Sequence, residues 1–374
     1  MTVPYSPGLE GVVAAQTEIS EVDGQGGRLI YRGGYLIEEL FGKSFEEIAY
    51  LLYVGHLPSD AEMAEFKAKL ASRRALNEQA RAALAGLRRD VDPMDAMRTV
   101  VSAQGAGPGC PKPDLDQAIS LTASGPTAVA AFYRHRQGLA PIEPRQDLGE
   151  AANFLYMLDG KEAGADRVRY LESYLVLLAD HGLNASTFTA RVTCSTGSDL
   201  TSAIVAAIGA LKGPAHGGAA TAAMDMLQEV AGPDAAEQFV VDRLNNHQRL
   251  MGFGHRVYRT YDPRARILRE LAREGNPDFY AVAFKVEETA LRELLARHPE
   301  RPNATNVDYY SAGVLQAAGF PKEFFTCCFA VSRTVGWTAH VLEYTAKDGR
   351  IIRPASEWMG PDPANRPASA VTTA

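Results

Sequence analysis

Apolar residues recur at helical spacing along almost the whole chain while alternating β-branched runs are scarce, so the sequence reads as all-α. Leu29 to Tyr31 and Arg350 to Ile352 are the best strand candidates. Helices are expected over 45–55, 59–73, 77–88, 92–103, 114–137, 147–158, 166–180, 198–212, 217–230, 234–248, 263–274, 278–297, 309–318 and 322–346, most of them parted by Gly, Pro or Asn turns. Thr201 to Leu211 is small and apolar on every face, which suits a helix packed on several sides, as at a subunit contact. No internal repeat is evident, and only the tail after Pro361 has a disordered composition.

A chain of 374 residues, 46% hydrophobic and 22% charged, can bury a large core in one or two domains. Its net charge of -7 argues against nucleic acid as a partner, because phosphate recognition needs clustered Lys and Arg. An anionic small molecule needs only a few local arginines and stays open. The first residues lack a basic start followed by an apolar stretch, and no apolar run is long enough to span a bilayer, so a cytoplasmic location is expected. Four cysteines, at 110, 194, 327 and 328, are too few and too irregular for a disulfide framework or a zinc knuckle. They are expected to be buried and reduced.

His181 in ADHGLNAST, His216 in LKGPAHGGA and His255 in MGFGHRVYR lie where helical pattern breaks. Glycine beside a loop histidine permits close backbone approach by a ligand, and a helix opening just after His216 would aim free N–H groups at an anion. Each alone could be a hydrogen-bonded, partly buried histidine; three such settings favour function. His340 sits in a continuous helical pattern and reads as a packing residue, whereas His56, His135, His247 and His298 read as surface.

Asp308 precedes a helical pattern and could be an N-cap, which would stabilise its anion, or a base that gains from poorer solvation. Arg264 follows Asp262 and Pro263 at a helix start, where a cation opposes the macrodipole unless an anion compensates; the alternative is an ion pair with Asp262 or Glu270. Arg353, held extended by Pro354, could clamp a carboxylate or make a surface pair. Neither a nucleotide-phosphate loop, nor G-x-S-x-G, nor H-E-x-x-H occurs, and GQGGR precedes a strand candidate rather than following one.

The strings GLEGVVAAQTEIS, GRLIYRGG, ADHGLNASTFTARV, AIGALKGPAHGGA, MGFGHRVYRTYDPRA, VDYYSAGVL and RIIRPASEWMGP resemble the citrate synthase family in order and spacing, from about residue 8 to about 361. The resemblance implies a helical obligate homodimer. A large domain, 1–217 plus 320–374, would carry a smaller domain, 218–319, that closes over the active site. It implies that acetyl-CoA and oxaloacetate are condensed to citrate and CoA, with no resident cofactor or metal, since the CoA thioester is a substrate. In that scheme His216 stabilises the enol of the thioester, Asp308 removes the methyl proton and His255 polarises the ketone. His181, Arg264 and Arg353 would hold oxaloacetate; Arg259 would meet CoA phosphates, and Met251, Gly252, Phe253 and Gly254 would lie along the adenine portion.

Three departures from the family pattern stand out: YRGGYLIEEL has an extra glycine, ADHGLN carries Gly182 where an acidic residue is common, and the tail offers only Arg366 for the arginine that the family sends into its partner's site. A 2-methylcitrate synthase, using propionyl-CoA on the same catalytic set, is the nearest alternative. A metal-dependent hydrolase built on the three histidines and Asp308 is another, although none of them has helical ligand spacing and the arginines would repel a cation. A helical scaffold without catalysis would have no need of glycine-bracketed histidines.

Overall fold

The computed structural model describes residues 5–254, 257–300, 304–347 and 349–361. Among them are fifteen α-helices and a small three-stranded sheet. The helices begin where sequence chemistry starts them. Ser44 and Ser59 close capping boxes with Glu47 and Glu62 over α1 (Phe45–Val54) and α2 (Asp60–Ser72). Asparagine or aspartate caps α3 (Glu78–Ala85), α4 (Pro93–Gln104) and α5 (Leu115–Arg136). Next come α6 (Glu150–Asp159), α7 (Ala165–Leu178), α8 (Ala185–Cys194) and α9 (Leu200–Leu211). After these follow α10 (Ala219–Gln228), α11 (Ala236–Asn245), α12 (Pro263–Gly275), α13 (Pro277–Arg297), α14 (Val307–Ala317) and α15 (Phe325–Lys347).

The expected strand at 29–31 is real, and it pairs twice. β1 (Ser20–Asp23) and β2 (Arg28–Tyr31) form an antiparallel hairpin with Ser20 opposite Tyr31, and β3 (Tyr35–Leu36) adds to β2. The GQGGR segment is the hairpin turn, fastened by Gln25 and Gly26 N–H groups donating to Asp23 Oδ1. The extended segment 350–352 pairs with no strand among the described residues. Helix α8 was not expected; three threonines and a valine in its ten residues give it weak intrinsic propensity. Its Asn184 cap and its packing against α9 and α15 hold it.

Helix α15 is the axis of the molecule. It is buried on nearly every face and packs against α1, α4, α5, α7, α8, α9 and α10. Cys327 and Cys328 are small apolar members of this core, as expected, and Cys194 is also buried, whereas Cys110 is exposed. Gly336 lets α15 approach the end of α7: a Cβ there would stand 2.5 Å from the Ala179 carbonyl oxygen. Ser332 Oγ and Arg333 Nε donate to the Leu175 and Leu178 carbonyls at 2.6 and 2.7 Å, satisfying groups that the end of α7 leaves open. Tyr31 Oη receives the Asp180 N–H at 3.1 Å, so hairpin, α7 and α15 converge on the turn that carries His181. A second group, α10 to α14, packs mutually, with α12 against α14 and α11 against α13; α14 also meets α7.

Candidate active site

His216 lies in the turn between α9 and α10, held by its own N–H donating to the Gly213 carbonyl at 2.9 Å. Its Nε2 is 2.8 Å from Ser186 Oγ on α8, and Phe329 of α15 meets the ring edge-on at 6.3 Å between centroids. Burial, aided by the Arg333 charge, pulls the imidazole down to about 4. It is therefore neutral at pH 7, with a single N–H to place.

Asp308 is not a cap. Asn306 caps α14, accepting the Asp308 N–H at 3.1 Å, and leaves the aspartate as the second helical residue. Among the described residues nothing donates a hydrogen bond to its carboxylate. Burial pushes that carboxyl up to about 6, against the pull of Arg264 and Arg333. Of the two readings the sequence allowed, the poorly solvated carboxylate is the one present. Its helix entrance is pinned by Glu287, which accepts hydrogen bonds from Tyr261, Thr305 and Tyr310.

The Met251–Gly254 loop is stitched to the same entrance. Phe253 bridges to Thr305, Gly254 N–H donates to the Ala304 carbonyl at 2.8 Å, and Asn306 N–H returns to Gly252 at 3.0 Å. Gly252 has a φ of +87°, and a Cβ there would meet Tyr309 at 2.5 Å, so glycine is required twice over. The loop and Asp308 are one mechanical unit.

Arg264 is 2% exposed and makes the ion pair with Asp262 that the sequence offered as an alternative, through Nε at 3.1 Å and Nη2 at 2.8 Å. Burial works against its charge, but Asp262 outweighs it and the guanidinium stays protonated. His181 Nε2 lies 3.3 Å from Tyr258 Oη, and Tyr258 in turn feels the Arg264 charge.

Arg333, on α15, was missed. It is 1% exposed; Nε is its only hydrogen-bonded nitrogen among the described residues, and its guanidinium lies 4.8 Å over the Phe329 ring. Burial and the nearby Arg264 pull it down to about 10, with Asp180 opposing. Its charge acts on both His216 and Asp308. A buried cation with its outer nitrogens unengaged is costly unless an anion arrives. The signal was available, since Arg333 is a lone charge in the apolar run CCFAVSRTVGW.

His340, as expected, is fully buried and satisfied: Nδ1 accepts from Arg191 at 3.0 Å, which puts the proton on Nε2 facing Asp180. Of the histidines expected at the surface, His56 and His247 are exposed, while His135 is half-buried with Nε2 2.8 Å from the Leu87 carbonyl. Arg259 and Arg353 are exposed, and neither contacts His216, Asp308 or Arg264 among the described residues. His255 and Arg366 lie outside those residues. Among the described residues, no three His, Cys, Asp or Glu side chains are grouped to hold a metal ion.

The family model described as "Citrate synthase, C-terminal domain" matches residues 8–355. The chain is 40% identical to the citrate synthase of Deinococcus radiodurans, over 94% of this chain and 95% of that protein. It is 39% identical to the 2-methylcitrate synthase of Mycobacterium tuberculosis, over 94% and 90%. Among solved structures, the ternary complex of Thermoplasma acidophilum citrate synthase with carboxymethyl coenzyme A and oxaloacetate superposes with a TM-score of 0.90, at 34% identity and 96% and 97% coverage.

Proposed function

The chain belongs to the citrate synthase family, and from that premise we propose that it condenses acetyl-CoA with oxaloacetate and water to give citrate and CoA, using the residues grouped around Arg333. One observation carries this reading: a poorly solvated carboxylate, a neutral histidine and two buried arginines share one electrostatic neighbourhood. Carbon-acid chemistry on a dianionic partner needs those groups and little else.

Oxaloacetate binds first, its carboxylates meeting the guanidinium groups of Arg264 and Arg333, with His181 on one of its oxygens. The thioester methyl is a very weak acid. Asp308 takes its proton because the developing enolate oxygen receives an N–H from His216. The enol carbon then attacks the ketone carbon, whose oxygen takes up a proton from His255, and water cleaves the C–S bond to release the CoA thiol. Residues 218–319 form the smaller domain that closes over these groups and excludes water during enolisation. The 251–254 loop and Arg259 receive the coenzyme, and because the loop is stitched to the Asp308 entrance, CoA binding and placement of the base are coupled. The active molecule is a homodimer. Arg353, exposed on the extended C-terminal segment, suits the arginine that reaches the partner's site.

The test is thiol release with acetyl-CoA and propionyl-CoA, each with and without oxaloacetate. The higher kcat/KM should belong to acetyl-CoA, with release dependent on oxaloacetate. A clear preference for propionyl-CoA would make the enzyme a 2-methylcitrate synthase, and release without oxaloacetate would make it a thioesterase.

A pH dependence follows from the same residues. Asp308 acts as the anion and its carboxyl sits at about 6, so kcat/KM for acetyl-CoA should fall about tenfold per pH unit below that value. His216, at about 4, stays neutral through this range and adds no limb of its own. A rate flat from pH 7 to 5 would remove Asp308 as the base.

A further inference from the structure

Trp337 on α15 is fully buried and donates its Nε1–H to Ser186 Oγ at 3.0 Å. Ser186 Oγ also stands 2.8 Å from His216 Nε2 and 2.8 Å from Asn184 Oδ1. Asn184 Oδ1 already receives the backbone N–H groups of Ser186 and Thr187, each at 3.1 Å, as the cap of α8. The serine hydroxyl carries one hydrogen, so two arrangements compete.

In one, the hydroxyl donates to Asn184, and His216 must donate Nε2–H into an oxygen that already takes the indole N–H. In the other, the hydroxyl donates to His216 Nε2, and the only proton of the neutral ring sits on Nδ1. Two donors converging on one oxygen oppose each other, whereas a donor into that oxygen strengthens its own O–H as a donor. The Asn184 oxygen, with both lone pairs engaged by backbone, is the poorer acceptor for it.

We propose that Trp337 is a positioning residue that turns the Ser186 hydroxyl onto His216 Nε2 and so sets His216 as its Nδ1–H tautomer. Nδ1 has no partner among the described residues, which leaves this N–H for the thioester oxygen. The chain Trp337 to Ser186 to His216 runs from the core axis to the reacting atoms, and it deepens the reading of His216 as the enol-stabilising donor.

Replacing tryptophan by 3-benzothienylalanine removes the N–H and keeps the ring shape. The second tryptophan, Trp358, is exposed and can be changed to phenylalanine first, so that residue 337 alone carries the analogue. With 15N-labelled histidine, and His216→Asn to assign the ring, the unsubstituted protein should show His216 protonated on Nδ1. The analogue should show a mixed tautomer, with kcat lowered about 2- to 10-fold, the size expected for one hydrogen bond, and the KM for oxaloacetate unchanged. Trp337→Phe should do the same with some loss of packing. An Nε2–H tautomer in the unsubstituted protein, or an unchanged tautomer in the analogue, overturns the proposal. Full activity in His216→Asn would instead defeat the enol-donor reading, which the tautomer measurement does not depend on.

Discussion

Asp308→Asn should lower kcat by about 10³-fold, within the range that general-base groups contribute, and leave oxaloacetate binding no weaker than before. The amide keeps the shape and cannot take a proton from carbon. It also removes a negative charge from the neighbourhood of Arg333 and of Arg264, which already pairs with Asp262, so any change in oxaloacetate affinity should be toward tighter binding. Steady-state kinetics with both substrates, together with calorimetric titration of oxaloacetate, separate these effects. A kcat within tenfold of the unsubstituted enzyme would mean that Asp308 is not the base.

The second large effect belongs to Arg333→Met. Methionine fills much of the same buried space without a charge, so the fold should tolerate it, because the arginine is held at the cost of desolvation. Binding should not tolerate it. The loss of a charged donor pair to a carboxylate predicts a fall of about 10² to 10³ in kcat/KM for oxaloacetate, most of it in KM. The acid limb of the pH profile should also move above 6, since the Arg333 charge lowers the Asp308 carboxyl and its removal leaves only Arg264 to oppose burial. Arg333→Lys should keep that limb in place and recover part of the affinity. An unchanged KM together with an unmoved limb would show that Arg333 serves the fold only.

Much of the site was legible because glycine and proline break the helical pattern around His181 and His216, and a chain rich in helix has few other reasons for such breaks. What sequence could not settle was which residue would cap α14. Reading Asp308 as the cap was reasonable two residues too late; Asn306 takes the cap, and the carboxylate has no hydrogen-bond donor among the described residues. Arg333 was hidden by the regularity of its surroundings, since an unbroken helical pattern offered no punctuation, only the anomaly of a charge inside an apolar run. Ser186 was hidden because α8 was: threonine-rich residues with poor helix propensity form it through the Asn184 cap and contacts with α9 and α15, which are long-range information. In the fold, β2 was recognisable from its apolar run Leu29–Ile30–Tyr31, whereas β1 has the mixed sequence SEVD and is defined by pairing. The 350–352 segment has the composition of a strand but no partner strand among the described residues; the Ile352 N–H donates to Ser195 Oγ at 3.0 Å instead.

The most direct test of the central claim is a crystal structure with oxaloacetate and carboxymethyl-CoA bound. The account predicts oxaloacetate carboxylates on Arg264 and Arg333, and the carboxymethyl group between His216 and Asp308. An analogue seated away from Asp308, or oxaloacetate bound without Arg333, would contradict it.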